Sequence, residues 1–288
     1  MKEITLIGAG SDLGVNIDGA RLAPKILINK IKSNYKIINL SQDENIIKSQ
    51  NQQDMKKNLS EVNKFNQKLY NTILNETNFC LTIGGDHSIS IGSALASLKK
   101  HQNLGIIWID SHLDYNTFKT TITGNLHGLP LAALNGLNQE LSHFHDGIYF
   151  NPKNTVVVGY RAFEENAYLE IENIKTMGVT VFTTKDIKEM GVDKVMELAL
   201  SLASKNTDGI HVSFDLDVID PIIAKGVTVK EKNGLNLLEV NLITKFLNNL
   251  DNIKSFDLVE YNPINDQNNE TLNIAINIIK DIFKKKQK

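Results

Sequence analysis

Apolar positions along the chain fall into two recurring patterns. Eight short runs are apolar almost throughout instead of alternating: ITLIGA (4–9), YKIINL (35–40), FCLTIG (79–84), LGIIWID (104–110), TVVVGY (155–160), VTVFTT (179–184), GIHVSFDLD (209–217) and IKSFDLVEY (253–261). Such runs suit strands buried on both faces. Between them, apolar residues recur at helical spacing in 22–32, 60–76, 90–101, 193–205 and 271–286. Strand and helix alternate to the end. This predicts an α/β fold with parallel strands and helical crossovers, either an open doubly wound sheet or a closed eight-fold barrel. Both architectures put their sites at the carboxyl ends of strands. The polar stretch 41–58 is expected to be a surface excursion with at most a short helix, and residues 1–288 are expected to form a single domain.

Composition narrows the classes of function. With 288 residues and 41% hydrophobic content the chain can bury a sizeable core, and a formal net charge of −2 offers no surplus for nucleic acid or membrane. No apolar run reaches the ~18 residues of a membrane span, and MKEITLIGAG does not read as a signal peptide. The single cysteine, Cys80, sits in an apolar run and reads as a buried structural thiol. A cytoplasmic protein with a small-molecule substrate is the expectation.

Four strand ends carry the unusual chemistry. FCLTIGGDHS ends in Asp86-His87, LGIIWIDSHLD in Asp110, His112 and Asp114, HVSFDLDVIDP in Asp215, Asp217 and Asp220, and FDLVEYNP in Glu260. On an extended chain Asp110, His112 and Asp114 would share one face, as would Asp215 and Asp217. With His87 they make two imidazoles and four carboxylates, more than one small cation needs, so a carboxylate-bridged pair of ions is the natural arrangement. A carboxylate-rich set without thiolate favours manganese, while leaving cobalt, nickel and zinc open. Asp86 and Asp220 read as supporting or turn residues, and His143 and His145 as members of a polar loop. Taken alone, Glu260 reads as a strand-end charge and His127 as a histidine in a glycine-rich turn.

In order and separation, GGDHS (84–88), DSHLD (110–114) and SFDLDVIDP (213–221) resemble the three signature motifs of the ureohydrolases, the arginase and agmatinase superfamily. LGVNIDGARLAPKIL (13–27) and TGNLHGLP (123–130) bring the resemblance closest to the arginase branch. The resemblance implies a three-layer α/β/α domain with an open, mostly parallel eight-stranded sheet, and two Mn2+ per chain that activate a bridging water. It places His87 and Asp114 on one ion, His112 and Asp217 on the other, and Asp110 and Asp215 as bridges. It makes Glu260 the guanidinium binder, His127 the proton shuttle and Asp114 a support for the tetrahedral intermediate. A two-oxygen contact from Glu260 would match the planar fork. Asn116 and Thr123 would recognise the α-carboxylate of L-arginine and Glu164 its α-amino group, with Asn125 a further substrate-binding residue. A homo-oligomer, a trimer or hexamer, is also implied. Three features depart from the family pattern: Ala23 stands where glycine is usual, Ser111 replaces a usual alanine, and the loop 222–236 carries Lys225 at a proline position.

Overall fold

A computed structural model describes residues 3–31, 35–51, 53–162 and 167–284. The eight apolar runs become β1 (Ile4–Gly10), β2 (Lys36–Ser41), β3 (Phe79–Gly84), β4 (Leu104–Ile109), β5 (Thr155–Tyr160), β6 (Thr180–Thr183), β7 (Gly209–Asp215) and β8 (Ile253–Val259). They form one sheet in the order β2-β1-β3-β8-β7-β4-β5-β6, and every pairing is parallel. The sheet is open, with β2 and β6 at its edges, so the barrel is excluded. β2 is largely exposed, as expected of an edge, whereas β3, β4, β5 and β7 are buried along their whole length.

Nine helices are seen among the described residues: α1 (Ala23–Lys30), α2 (Leu59–Leu74), α3 (Ser90–His101), α4 (Pro130–Leu134), α5 (Ala167–Met177), α6 (Thr184–Met190), α7 (Val192–Ala203), α8 (Leu237–Asn248) and α9 (Glu270–Phe283). None is long and apolar enough to cross a membrane. Strand side chains alternate faces, so Ile107 and Ile109 enter one core with α1 and α6–α9, while Ile106 and Trp108 enter another with α2–α5. The result is three layers, helix on sheet on helix. Each buried Leu, Ile or Phe in these cores contributes roughly 1.5–3 kcal/mol.

The stretch 41–58 is the expected surface excursion, with Lys57 the one buried residue among those described. It contains no helix among its described residues and acts as a strap. The Lys48 ammonium donates to the Val15 carbonyl at 3.0 Å and pairs with Asp18 at 2.7 Å, while the buried Lys57 donates to the Thr123 carbonyl at 2.5 Å. Long lysine stems bury their methylenes and keep the charged head on polar partners. The strap thereby ties the loop after β1 to the loop before α4.

Candidate active site

The central strands run β3-β8-β7-β4, and their carboxyl ends deliver His87, Glu260, Asp215 and Asp110 to one locus. Three of these ends share a local device. One oxygen of Asp86 accepts the Ser88 N–H at 2.8 Å, one of Asp110 accepts the His112 N–H at 2.7 Å, and one of Asp215 accepts the Asp217 N–H at 2.7 Å. Each aspartate folds the chain into a tight turn two residues on. The ligand-bearing segments are therefore turns, not the extended segments that face alternation assumes. At Gly85 a side chain would collide with the Ser11 carbonyl at 1.8 Å, which is why glycine precedes this turn.

The turns converge six side chains. His87 Nδ1 lies 3.0 Å from Asp110, 3.1 Å from Asp114 and 3.1 Å from Asp215, and His112 Nδ1 lies 2.9 Å from Asp217 and 3.5 Å from Asp110. One ring nitrogen cannot give a single proton to three carboxylates, and neither His87 Nδ1 nor Asp114 Oδ2 makes a hydrogen bond. The donors also group into two triads of metal-binding geometry, His87-Asp110-Asp215 and Asp110-His112-Asp217, which share Asp110. This donor set fits a pair of divalent cations.

The electrostatics agree with that fit. Burial first, then the Asp110 charge, pushes the Asp114 carboxyl up to about 7. Burial, followed by the charges of Asp217 and Asp110, holds Asp215 well above the carboxylate range. Burial opposes protonation of His87 and His112, yet the surrounding carboxylates override it and raise both. Cations placed among such groups relieve the crowding of negative charge.

Sequence reasoning passed over the residues that hold these ligands. Trp108 stacks on His87 with ring centroids 3.9 Å apart and 6° between planes, and its indole N–H donates to Asp110 Oδ2 at 2.9 Å. The Ser213 hydroxyl lies 2.8 Å from His87 Nε2. Each sits two residues before a ligand aspartate on a strand, so a period of two places it on the same face, and that signal was available. Ser111, the departure from alanine, donates to Asp217 Oδ1 at 2.7 Å and so adds a contact to the site.

Above the cluster a cavity of about 60 Å³, room for a small planar head group or a few waters, is lined by Asn116, His127, Glu170, Val229 and Glu260 together with the ligands. Glu260 Oε1 accepts the His87 N–H at 2.8 Å and the His127 ring Nδ1–H at 3.1 Å. Its buried Oε2 makes no close hydrogen bond, although the equally unsatisfied Thr228 hydroxyl interacts with this carboxylate and helps to lower it. One oxygen is thus left for a cationic donor, in place of the two-oxygen contact expected. Burial disfavours a charged His127, but the hydrogen bond to Glu260 outweighs it and holds the imidazole up at about 9. Burial raises the Glu260 carboxyl, and the same hydrogen bond reverses that, leaving it lowered.

The remaining candidates divide. Asn116 lines the cavity, while Thr123 and Asn125 do not. Glu164 lies outside the described residues. Glu170, absent from the sequence reading, lines the cavity and accepts the Tyr115 N–H at 2.7 Å. Asp86 is buried and spans the Gly14 and Ser88 amides, and Asp220 accepts from Ile222, so both serve turns. His143 is exposed, and neither it nor His145 joins a metal-binding group.

The chain matches the family model described as the arginase family over residues 2–284. It is 35% identical over 297 residues to the arginase of Bacillus subtilis, covering 99% of each chain. The crystal structure of that enzyme superposes with a TM-score of 0.84 at 33% identity, covering 98% of both chains. The Entamoeba histolytica arginase in complex with L-ornithine superposes with a TM-score of 0.90 at 28% identity, again covering 98% of both.

Proposed function

Since the chain belongs to the arginase family of metal-dependent ureohydrolases, which cleave guanidino C–N bonds, we propose that it hydrolyses L-arginine to L-ornithine and urea with two manganese ions. The observation that carries this reading is Glu260, a buried carboxylate that lines the cavity beside the two donor triads and whose Oε2 makes no close hydrogen bond. A buried carboxylate oxygen without a partner is costly unless something fills it. A guanidinium N–H, always cationic and planar, is the fitting donor.

The residues divide the work as follows. His87 and Asp114 would hold one ion and His112 and Asp217 the other, with Asp110 and Asp215 shared between them. Bound there, a pair of divalent ions brings the pKa of water towards ~7, which supplies hydroxide at mild pH. Glu260 Oε2 binds the guanidinium and presents its carbon to the nucleophile. Asp114 steadies the tetrahedral carbon by accepting a hydrogen bond. His127, charged at neutral pH through its bond to Glu260, passes its proton to the leaving amine, without which the C–N bond cannot break. Asn116, which lines the cavity, recognises the amino-acid end of the substrate, with Glu164 and, from outside the cavity lining, Thr123 and Asn125 completing the contacts. Agmatine lacks the α-carboxylate and would forgo those contacts.

The test is hydrolysis by the manganese-loaded protein of L-arginine, agmatine and formiminoglutamate side by side, read as urea from the first two and as formamide from the third. Metal-dependent urea from arginine alone is expected. Release from agmatine, or turnover of the formimino compound, would move the protein to another ureohydrolase branch. A cytoplasmic homo-oligomer, a trimer or hexamer, completes the reading, and sedimentation would weigh the assembly.

A further inference from the structure

Beneath the ligands, on the α3 side of the sheet, lies a polar seam in an otherwise apolar core. β7 and β8 pair in register as His211 with Ser255 and Ser213 with Asp257, and all four are buried. α3 faces them with Ser90 and Ser93, three residues apart and therefore on one face. The Ser90 hydroxyl donates to Asp257 Oδ2 at 2.9 Å, and the Ser93 hydroxyl donates to the same oxygen. Ser90 Oγ lies 3.4 Å from Ser213 Oγ, which lies 2.8 Å from His87 Nε2. His211 closes the far end, with Nε2 3.4 Å from Asp257 and Nδ1 2.7 Å from Ser255.

The chain of hydroxyls has a direction. A carboxylate only accepts, so Ser90 must point its proton at Asp257 and offer its lone pairs to Ser213. Ser213 can then give its proton to Ser90 and accept one from His87 Nε2. With Nε2 protonated, the His87 lone pair sits on Nδ1, the atom that faces Asp110, Asp114 and Asp215. Asp257 Oδ1 has no hydrogen bond. A buried carboxylate satisfied on one side only is a poor stabiliser of a core and needs another reason to be there.

We propose that Asp257, acting through Ser90 and Ser213, is a positioning residue that fixes His87 in the tautomer able to hold a cation. This rests on the reading of His87 as a ligand. Replacing the terminal acceptor or the middle hydroxyl should weaken the His87-side ion about 10- to 100-fold, the range for outer partners of ligating histidines, and leave the His112-side ion unchanged.

The experiment is cobalt(II) titration of the metal-stripped full-length chain, followed by calorimetry and visible absorption, with His87→Ala identifying the step that belongs to His87. Ser90→Ala and Asp257→Leu are expected to weaken that step alone. Asp257→Asn, which still offers one carbonyl oxygen to Ser90, restores most of it. In a His87→Ala background, Ser90→Ala changes nothing further. Wild-type affinity in both Ser90→Ala and Asp257→Leu would overturn the proposal, as would equal loss of both steps, the mark of general damage to the fold. Ser90→Ala removes one oxygen from a helix and keeps the test open should Asp257→Leu fail to fold. A wild type with a single step that His87→Ala leaves untouched would overturn the ligand reading itself, and this proposal with it.

Discussion

Asp110 carries more of the site than any other residue, because both donor triads include it while Trp108 and the His112 amide fix its two oxygens. Asp110→Ala should abolish tight binding of both ions, which metal analysis after gel filtration would detect; two ions retained per chain would disprove the shared role. Glu260→Gln keeps the shape and removes the charge. A hydrogen bond to a charged group is worth about 1.5–3 kcal/mol, so kcat/KM for arginine should fall roughly 10- to 100-fold with metal content intact. The His127 and Glu260 pair also predicts a pH effect on the metal-free protein. His127 is raised from 6.5 to about 9, so its contribution to stability is complete below pH 6.5 and is lost as pH rises through about 9. His127→Asn should flatten that part of the melting curve against pH. These residues were legible because metal ligands cluster in short motifs at strand ends. The backbone they need was not: Asp114 at φ 50° and Glu260 at φ 65° occupy the left-handed region that glycine and asparagine favour, which no side-chain pattern announces.

Among the elements, periodicity located all eight strands to within about two residues. It passed over α4, α5, α6 and α8, although α6 and α8 each open with a capping box, Thr183 with Asp186 and Asn236 with Glu239. α6, with 7 residues, carries too few turns for an apolar stripe to stand out, whereas α8, with 12, is as long as α3 and α7, and in both the cap was the signal available. The loop 222–236 was readable only as a departure, because its place is set from a distance. Arg161, at the end of β5, donates to the carbonyls of Asp217, Val218, Glu231 and Lys232, pinning the loop to the ligand turn. Val229 of that loop lines the cavity. Lysine has one nitrogen where arginine has a rigid fork, so Arg161→Lys should release the loop and raise KM for arginine about tenfold, with a smaller change in kcat; unchanged steady-state kinetics would show that the loop holds itself.

For the whole molecule, the buried carboxylates make stability depend on metal. A ligand that binds only the folded state at 100 times its Kd adds about 2.7 kcal/mol, which in a domain near this size is several degrees of Tm. Chelation should therefore lower the melting temperature by that much, and manganese should restore it; in Asp110→Ala neither change should occur. The alternation of elements announced a parallel sheet, but not its order, since pairing between distant strands leaves no local mark. That order puts β8 between β3 and β7. A ribosome adding ~5–20 residues per second finishes β3 on the order of ten seconds before it reaches Val259, and until then the two halves of the sheet have no strand to join them. The site should consequently be assembled last: a nascent chain halted before Ile253 lacks the strand that joins β3, which leads to His87, with β7, which ends in Asp215.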